Sequence, residues 1–71
     1  MIKQVQYIAV DPTANMNPYL TIGPTDKLEW GAHRENAQKF DTEREALEAG
    51  RAAMREWGLP GAENRVMVEP F

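Results

Sequence analysis

The side chains that could do chemistry in this sequence are few, and their spacing favours other work for them. A single histidine, His33, stands in a polar stretch with Arg34, Glu35 and Asn36. No histidine pair can therefore hold a metal, and a catalytic triad would have to be built around a loop residue. Glu43, Glu45 and Glu48 could serve as general acids or gather a hard cation, but they stand where a helix starts, and helix capping and dipole already account for acids there. The sequence has no cysteine, which removes thiolate nucleophiles, thiolate metal sites and disulfides at one stroke. Phosphate loops of the Gly-x-Gly or Walker type are missing. Arg44, Arg51 and Arg55 line one side of a predicted helix, yet Glu48 and Glu56 intervene, which describes a solvated mixed face better than a phosphate-binding stripe. These residues predict no catalytic group, no metal and no cofactor, and they disfavour direct contact with nucleic acid.

Composition narrows the class further. Eleven acidic against eight basic side chains give a net charge of −3 and a pI near 5.0, the wrong sign for a domain whose task is neutralising phosphates. Seventy-one residues suffice for one small domain and are too few for two cores. The mean hydropathy is −0.60, and no run approaches the roughly 20 apolar residues of a spanning helix. Lys3, Gln4 and Gln6 interrupt what a secretory signal would need, so a cytoplasmic protein without membrane attachment is expected.

The positioning elements can be read in order. Residues 3–10 mix Val5, Tyr7, Ile8 and Val10 with glutamines and predict a strand. A Pro- and Asn-rich loop spans 11–18. Residues 19–22 and 27–30 predict a hairpin across Gly23-Pro24-Thr25-Asp26. Residues 31–39 have no period and predict a loop with one helical turn.

The helical signal over 42–57 is the strongest in the chain. Asp41 or Thr42 can cap its start, and Glu45 can complete a capping box with Thr42; Ala46, Leu47, Gly50, Ala53, Met54 and Trp57 fall on one stripe, and Arg44–Glu48 and Glu48–Arg51 are spaced for ion pairs. Gly58 and Pro60 end the helix. Residues 65–69 alternate as a last strand, closed by Pro70. The expected fold is α+β: an antiparallel sheet of about four strands in the order β-β-β-α-β, with one amphipathic helix packed on one face. The expected core is Leu20, Ile22, Leu28, Trp30, Phe40, Leu47, Met54, Trp57, Val66 and Val68.

One helix can cover only one face of such a sheet. The other face would carry Tyr19, Thr21 and Met67, joined by Tyr7 or Ile8. Exposed apolar patches of this kind mark partner or self-association surfaces, and aromatic and Met side chains are enriched in them. The expected contact residues are Tyr7, Met16, Tyr19 and Met67, with His33, Arg34 and Glu35 of the 31–38 loop as the second candidate surface.

Two stretches carry a resemblance. Tyr19-Leu20-Thr21, Trp30 and the run Ala37-Gln38-Lys39-Phe40-Asp41-Thr42-Glu43-Arg44-Glu45-Ala46 resemble a pattern of small bacteriophage and prophage proteins: a YLT strand, a tryptophan-bearing strand and an A-x-x-F-x-T-x-x-E-A helix start. The pattern describes architecture and contains no catalytic residue. Ala52-Ala53-Met54-Arg55-Glu56-Trp57-Gly58-Leu59-Pro60, leading to Val66, is similar to small type I anti-CRISPR inhibitors. That likeness implies binding to a CRISPR surveillance complex or one of its subunits, and so a host protein complex as partner. The order of three strands, helix and strand also resembles HicB-type antitoxins, and the acidic balance of this chain would suit neutralising a basic toxin. Here Asn17-Pro18-Tyr19-Leu20 stands where their Pro-Asp-Leu-Pro-Gly segment would be, and no DNA-binding extension is present. A small dimeric structural protein is the remaining alternative.

Overall fold

The computed structural model describes residues 4–14, 16–23, 25–58 and 61–71, with Trp57 represented by its backbone. Lys3 as a strand start, Pro24 in the hairpin turn, the Trp57 side chain in the core and Pro60 as the helix stop lie outside the described residues. The chain forms β1 (Tyr7–Val10), β2 (Tyr19–Ile22), β3 (Leu28–Gly31), helix α1 (Glu43–Trp57) and β4 (Met67–Pro70), with 3₁₀ turns at Arg34–Asn36 and Ala62–Arg65. The strands make one antiparallel four-stranded sheet in the order β3-β2-β1-β4. This is the α+β fold that the sequence predicts.

Local chemistry explains each boundary of the helix. Thr42 is extended, and its hydroxyl accepts a hydrogen bond from the Glu45 amide at 3.1 Å, which satisfies one of the free N–H groups of the first turn. Arg44 Nε donates to Glu48 Oε1 at 3.1 Å. Glu48, engaged there, makes no ion pair with Arg51 among the described residues, contrary to the spacing argument. Gly58 ends the helix at φ 82°, a left-handed conformation that glycine adopts without a Cβ penalty.

The helix packs closely. Ala46 is fully buried, and a Cβ built on Gly50 would lie 2.6 Å from Val66 Cγ1 and 3.0 Å from Ala9 Cβ. The absence of a side chain at Gly50 is what lets α1 touch β1. The core comprises Ala9, Leu20, Met54, Ala62 and Val66, with Trp30, Phe40, Leu47, Ala49 and Ala53 packed against it.

Several expectations need correction. Ile22 and Leu28, expected in the core, are 48% and 36% exposed. They are cross-strand partners at the far end of the hairpin, while α1 lies chiefly over β1, β4 and the second 3₁₀ turn. Residues 4–6, expected within the first strand, lie outside it: β1 begins at Tyr7, where Pro70 pairs with it. The last strand is Met67–Pro70, and Val66 reaches the core from the end of the second 3₁₀ turn instead of from a strand.

The stretch 37–40 does more than connect. Strands β1 and β2 pair only at Val10 and Tyr19 and then diverge, and 37–40 fills the wedge between them. Phe40 and Tyr7 exchange backbone hydrogen bonds at 2.8 Å, and the Gln38 amide donates to the Leu20 carbonyl at 2.8 Å.

The face opposite the helix carries Tyr19, Thr21 and Met67, as expected, with Ile8 rather than Tyr7 beside them, since Tyr7 shares the side of Ala9. It is not fully open. Ile8 is completely buried, because the chain after β3 crosses back over this face. Arg34 spans it, donating from Nε to Glu69 Oε1 at 3.3 Å and from Nη2 to the Pro70 carbonyl at 3.0 Å. Its guanidinium and the Lys39 ammonium lie 4.8 and 4.2 Å from the Phe71 ring centroid, a cation–π arrangement.

Two substitutions test this packing. Gly50→Val should destabilise the domain by ~1–3 kcal/mol through overpacking against Val66 and Ala9, and Met54→Ala by ~2–5 kcal/mol through a cavity. Both are read from urea denaturation midpoints. A neutral Gly50→Val would contradict the close approach of α1 to β1.

Candidate functional site

Four strands spaced at about 4.8 Å are wider than one helix of about 10–12 Å. With α1 over β1 and β4, the same face is covered over β2 as far as the buried Leu20, while the turn end of the β2–β3 hairpin, with Ile22 and Leu28, stays exposed; a cleft of about 590 Å³ lies along β3 there. Leu28 and Trp30 form its floor, Ala53, Met54 and Glu56 of α1 form one wall, and Ala14, Met16 and Asn17 of the loop after β1 form the other. Lys27 and Glu56 bring charge to the cleft, and Asp11 reaches it from the end of β1; Glu29 borders it from between Leu28 and Trp30, with its side chain on the other side of the sheet. Its volume lies within the range of small-molecule and peptide side-chain pockets.

Asp11 is 1% exposed and fully engaged. Its Oδ1 accepts from the Thr13 amide at 3.0 Å and the Thr13 hydroxyl at 2.7 Å, and its Oδ2 lies 3.3 Å from Arg65 Nη2. A buried carboxylate is tolerated only when bonded and paired in this way. Its role is to anchor the loop that carries Met16 and to tie it to the second 3₁₀ turn.

Trp30 is in the opposite situation. Its Nε1 is buried and has no hydrogen-bond partner. Such an orphaned buried N–H, without a partner among the described residues, costs on the order of 1–3 kcal/mol.

The predicted contact residues do not form one surface. Met16 is on the cleft wall and is 78% exposed. Tyr7 lies on the helix side of β1, paired with Phe40. Tyr19 and Met67 are on the opposite face, where Met67 is 58% exposed. His33, Arg34 and Glu35 lie at the first 3₁₀ turn, and Arg34 is committed to Glu69 and Pro70. His33 Nδ1 is 3.8 Å from Glu35 Oε1, with both side chains largely exposed. Among the described residues no group of three His, Asp or Glu side chains could hold a metal, and no helix is long and apolar enough to cross a membrane.

Sequence reasoning missed Asp11, Leu28 and Trp30 as site residues. The signal for Asp11 was present, since Asp-Pro-Thr is a side-chain-bonded turn in which Asp accepts from the residue two positions on. For Leu28 and Trp30 there was none, because their alternation reads the same whether or not a helix covers them. Asp11→Ala should cost ~1–3 kcal/mol by stranding Thr13 and Arg65, and it should loosen the Met16 wall. Urea denaturation and amide exchange of residues 13–17 measure the two effects, and unchanged exchange there would remove Asp11 as the loop's anchor.

Compared with known protein families, curated proteins and solved structures, the chain matches none, so the cleft is interpreted from its own geometry.

Proposed function

We propose that this chain is a non-enzymatic binding protein that acts by occupying a surface of a partner protein, with the cleft beside α1 as its main contact. The observation that carries this reading is the cleft along β3, on the part of the helix-side sheet face that α1 does not reach. Leu28 and Met16 remain exposed in its lining. An apolar floor with charged residues at the margin is the anatomy of a protein-contact patch.

The phage-type and anti-CRISPR resemblances give the partner its specific form, a host protein complex and in particular a type I CRISPR surveillance complex whose target recognition or nuclease recruitment would be blocked. Glu56 at the cleft and Glu29 on the other side of β3 also suit a basic partner, which keeps the antitoxin reading in second place. A toxin gene beside this one, and tight binding to its product, would favour that alternative.

The decisive experiment combines affinity capture with interference in cells expressing the protein. The expected result is recovery of CRISPR-associated subunits and impaired interference, both lost in the Met16→Glu/Leu28→Glu double variant while its thermal midpoint stays close to that of the parent. Capture that survives this variant but fails with Tyr19→Ala or Met67→Glu would move the contact to the opposite face. Unimpaired interference with no CRISPR subunit recovered would sink the anti-CRISPR form.

A further inference from the structure

The sheet has two edges, and they are not equivalent. At the β4 edge, the Phe71 amide donates to the Gln6 carbonyl, and antiparallel alternation then turns the backbones of Val68 and Pro70 outward. Pro70 has no N–H to offer, and its carbonyl is already taken by Arg34. That edge is blunted.

At the β3 edge, the Gly23 amide donates to the Lys27 carbonyl at 2.8 Å. With the register Ile22↔Leu28, Thr21↔Glu29 and Leu20↔Trp30, the same alternation turns the backbones of Leu28 and Trp30 away from β2. The Leu20 carbonyl, directed away from β3 to the Gln38 amide, agrees with this assignment. No strand lies beyond β3 among the described residues. Leu28 and Trp30 thus supply both the free edge of the sheet and the floor of the cleft.

Resting on the reading of the chain as a binding protein, we propose that β3 accepts an extended segment of the partner protein as an added antiparallel strand. Its sequence would alternate apolar, basic, apolar. Hydrogen bonds to the Leu28 and Trp30 backbones hold the main chain. The residues opposite Leu28 and Trp30 fall on the helix side and enter the cleft, while the residue between them lies opposite Glu29 on the other side of the sheet.

Charge at that middle position decides between occupants. In a symmetric antiparallel pairing of two copies, the register in which the outward backbones of Leu28 and Trp30 bond each other sets Glu29 directly against Glu29 of the second copy. Like charges so placed oppose association. Lys or Arg at the same position complements Glu29, so the fit is to a segment of another protein with a basic residue there.

The experiment is selection of a randomised octapeptide library against the full chain, followed by amide exchange with the enriched peptides. The expected outcome is enrichment of apolar–Lys/Arg–apolar sequences that slow exchange of the Leu28 and Trp30 amides. Replacing the basic residue by Glu should weaken binding by about five- to tenfold, the scale of one cross-strand charge reversal, and Glu29→Lys should invert that preference. Leu28→Pro, which removes an edge N–H without breaking the β2 ladder, should abolish binding, whereas Leu28→Ala should retain part of it.

Enrichment of no sequence, protection at other residues, or binding that survives Leu28→Pro overturns the proposal. So does self-association of the free chain with protection at β3, which would make a second copy the occupant. A chain that leaves CRISPR interference intact but still selects these peptides loses the inhibitor role and keeps the strand-addition site. The converse outcome keeps the role and places its surface elsewhere.

Discussion

The width of the sheet against the width of one helix is the constraint on which the rest of this molecule depends. Four strands need two helices, or a helix and a partner, to bury one face fully. The single helix here settles over β1 and β4, where Gly50 lets it approach Ala9 and Val66, and the hairpin β2–β3 extends past its reach. The cleft, the exposure of Ile22 and Leu28, and the orphaned Trp30 N–H all follow from that offset.

With α1 the one α-helix among the described residues, the connections serve as further cover. The stretch 37–40 completes the hydrogen bonding of the diverging β1 and β2, and Arg34 closes over the opposite face to reach β4. The two faces consequently exchange the roles that composition assigns them. The face without a helix buries Ile8 completely, while part of the face with the helix stays open. The blunted β4 edge and the free β3 edge repeat this asymmetry in the backbone.

Legibility in the sequence followed the range of the interactions. The helix was readable to within a residue because Thr42, Glu45 and Gly58 act on their own neighbours. The strands were readable in place and less well in extent, since Tyr7 and Met67 are strand ends only because of what pairs with them. Of the candidate site, only Met16 was anticipated. The expected core holds for Trp30, which packs against it, and fails for Leu28, which lies beyond the reach of the helix. Asp11 carried a local turn signal, but its pairing with Arg65 joins positions far apart in sequence.

The amino-acid sequence by itself therefore determined the class of fold, the order of its elements and the helix with both its ends, because composition and neighbour spacing act within a few residues. The tertiary structure decided which half of the sheet the helix covers, which edge remains free and what fills the gap between β1 and β2. Those outcomes rest on register, on the close contact at Gly50 and on contacts between distant segments, none of which leaves a periodic trace in the chain.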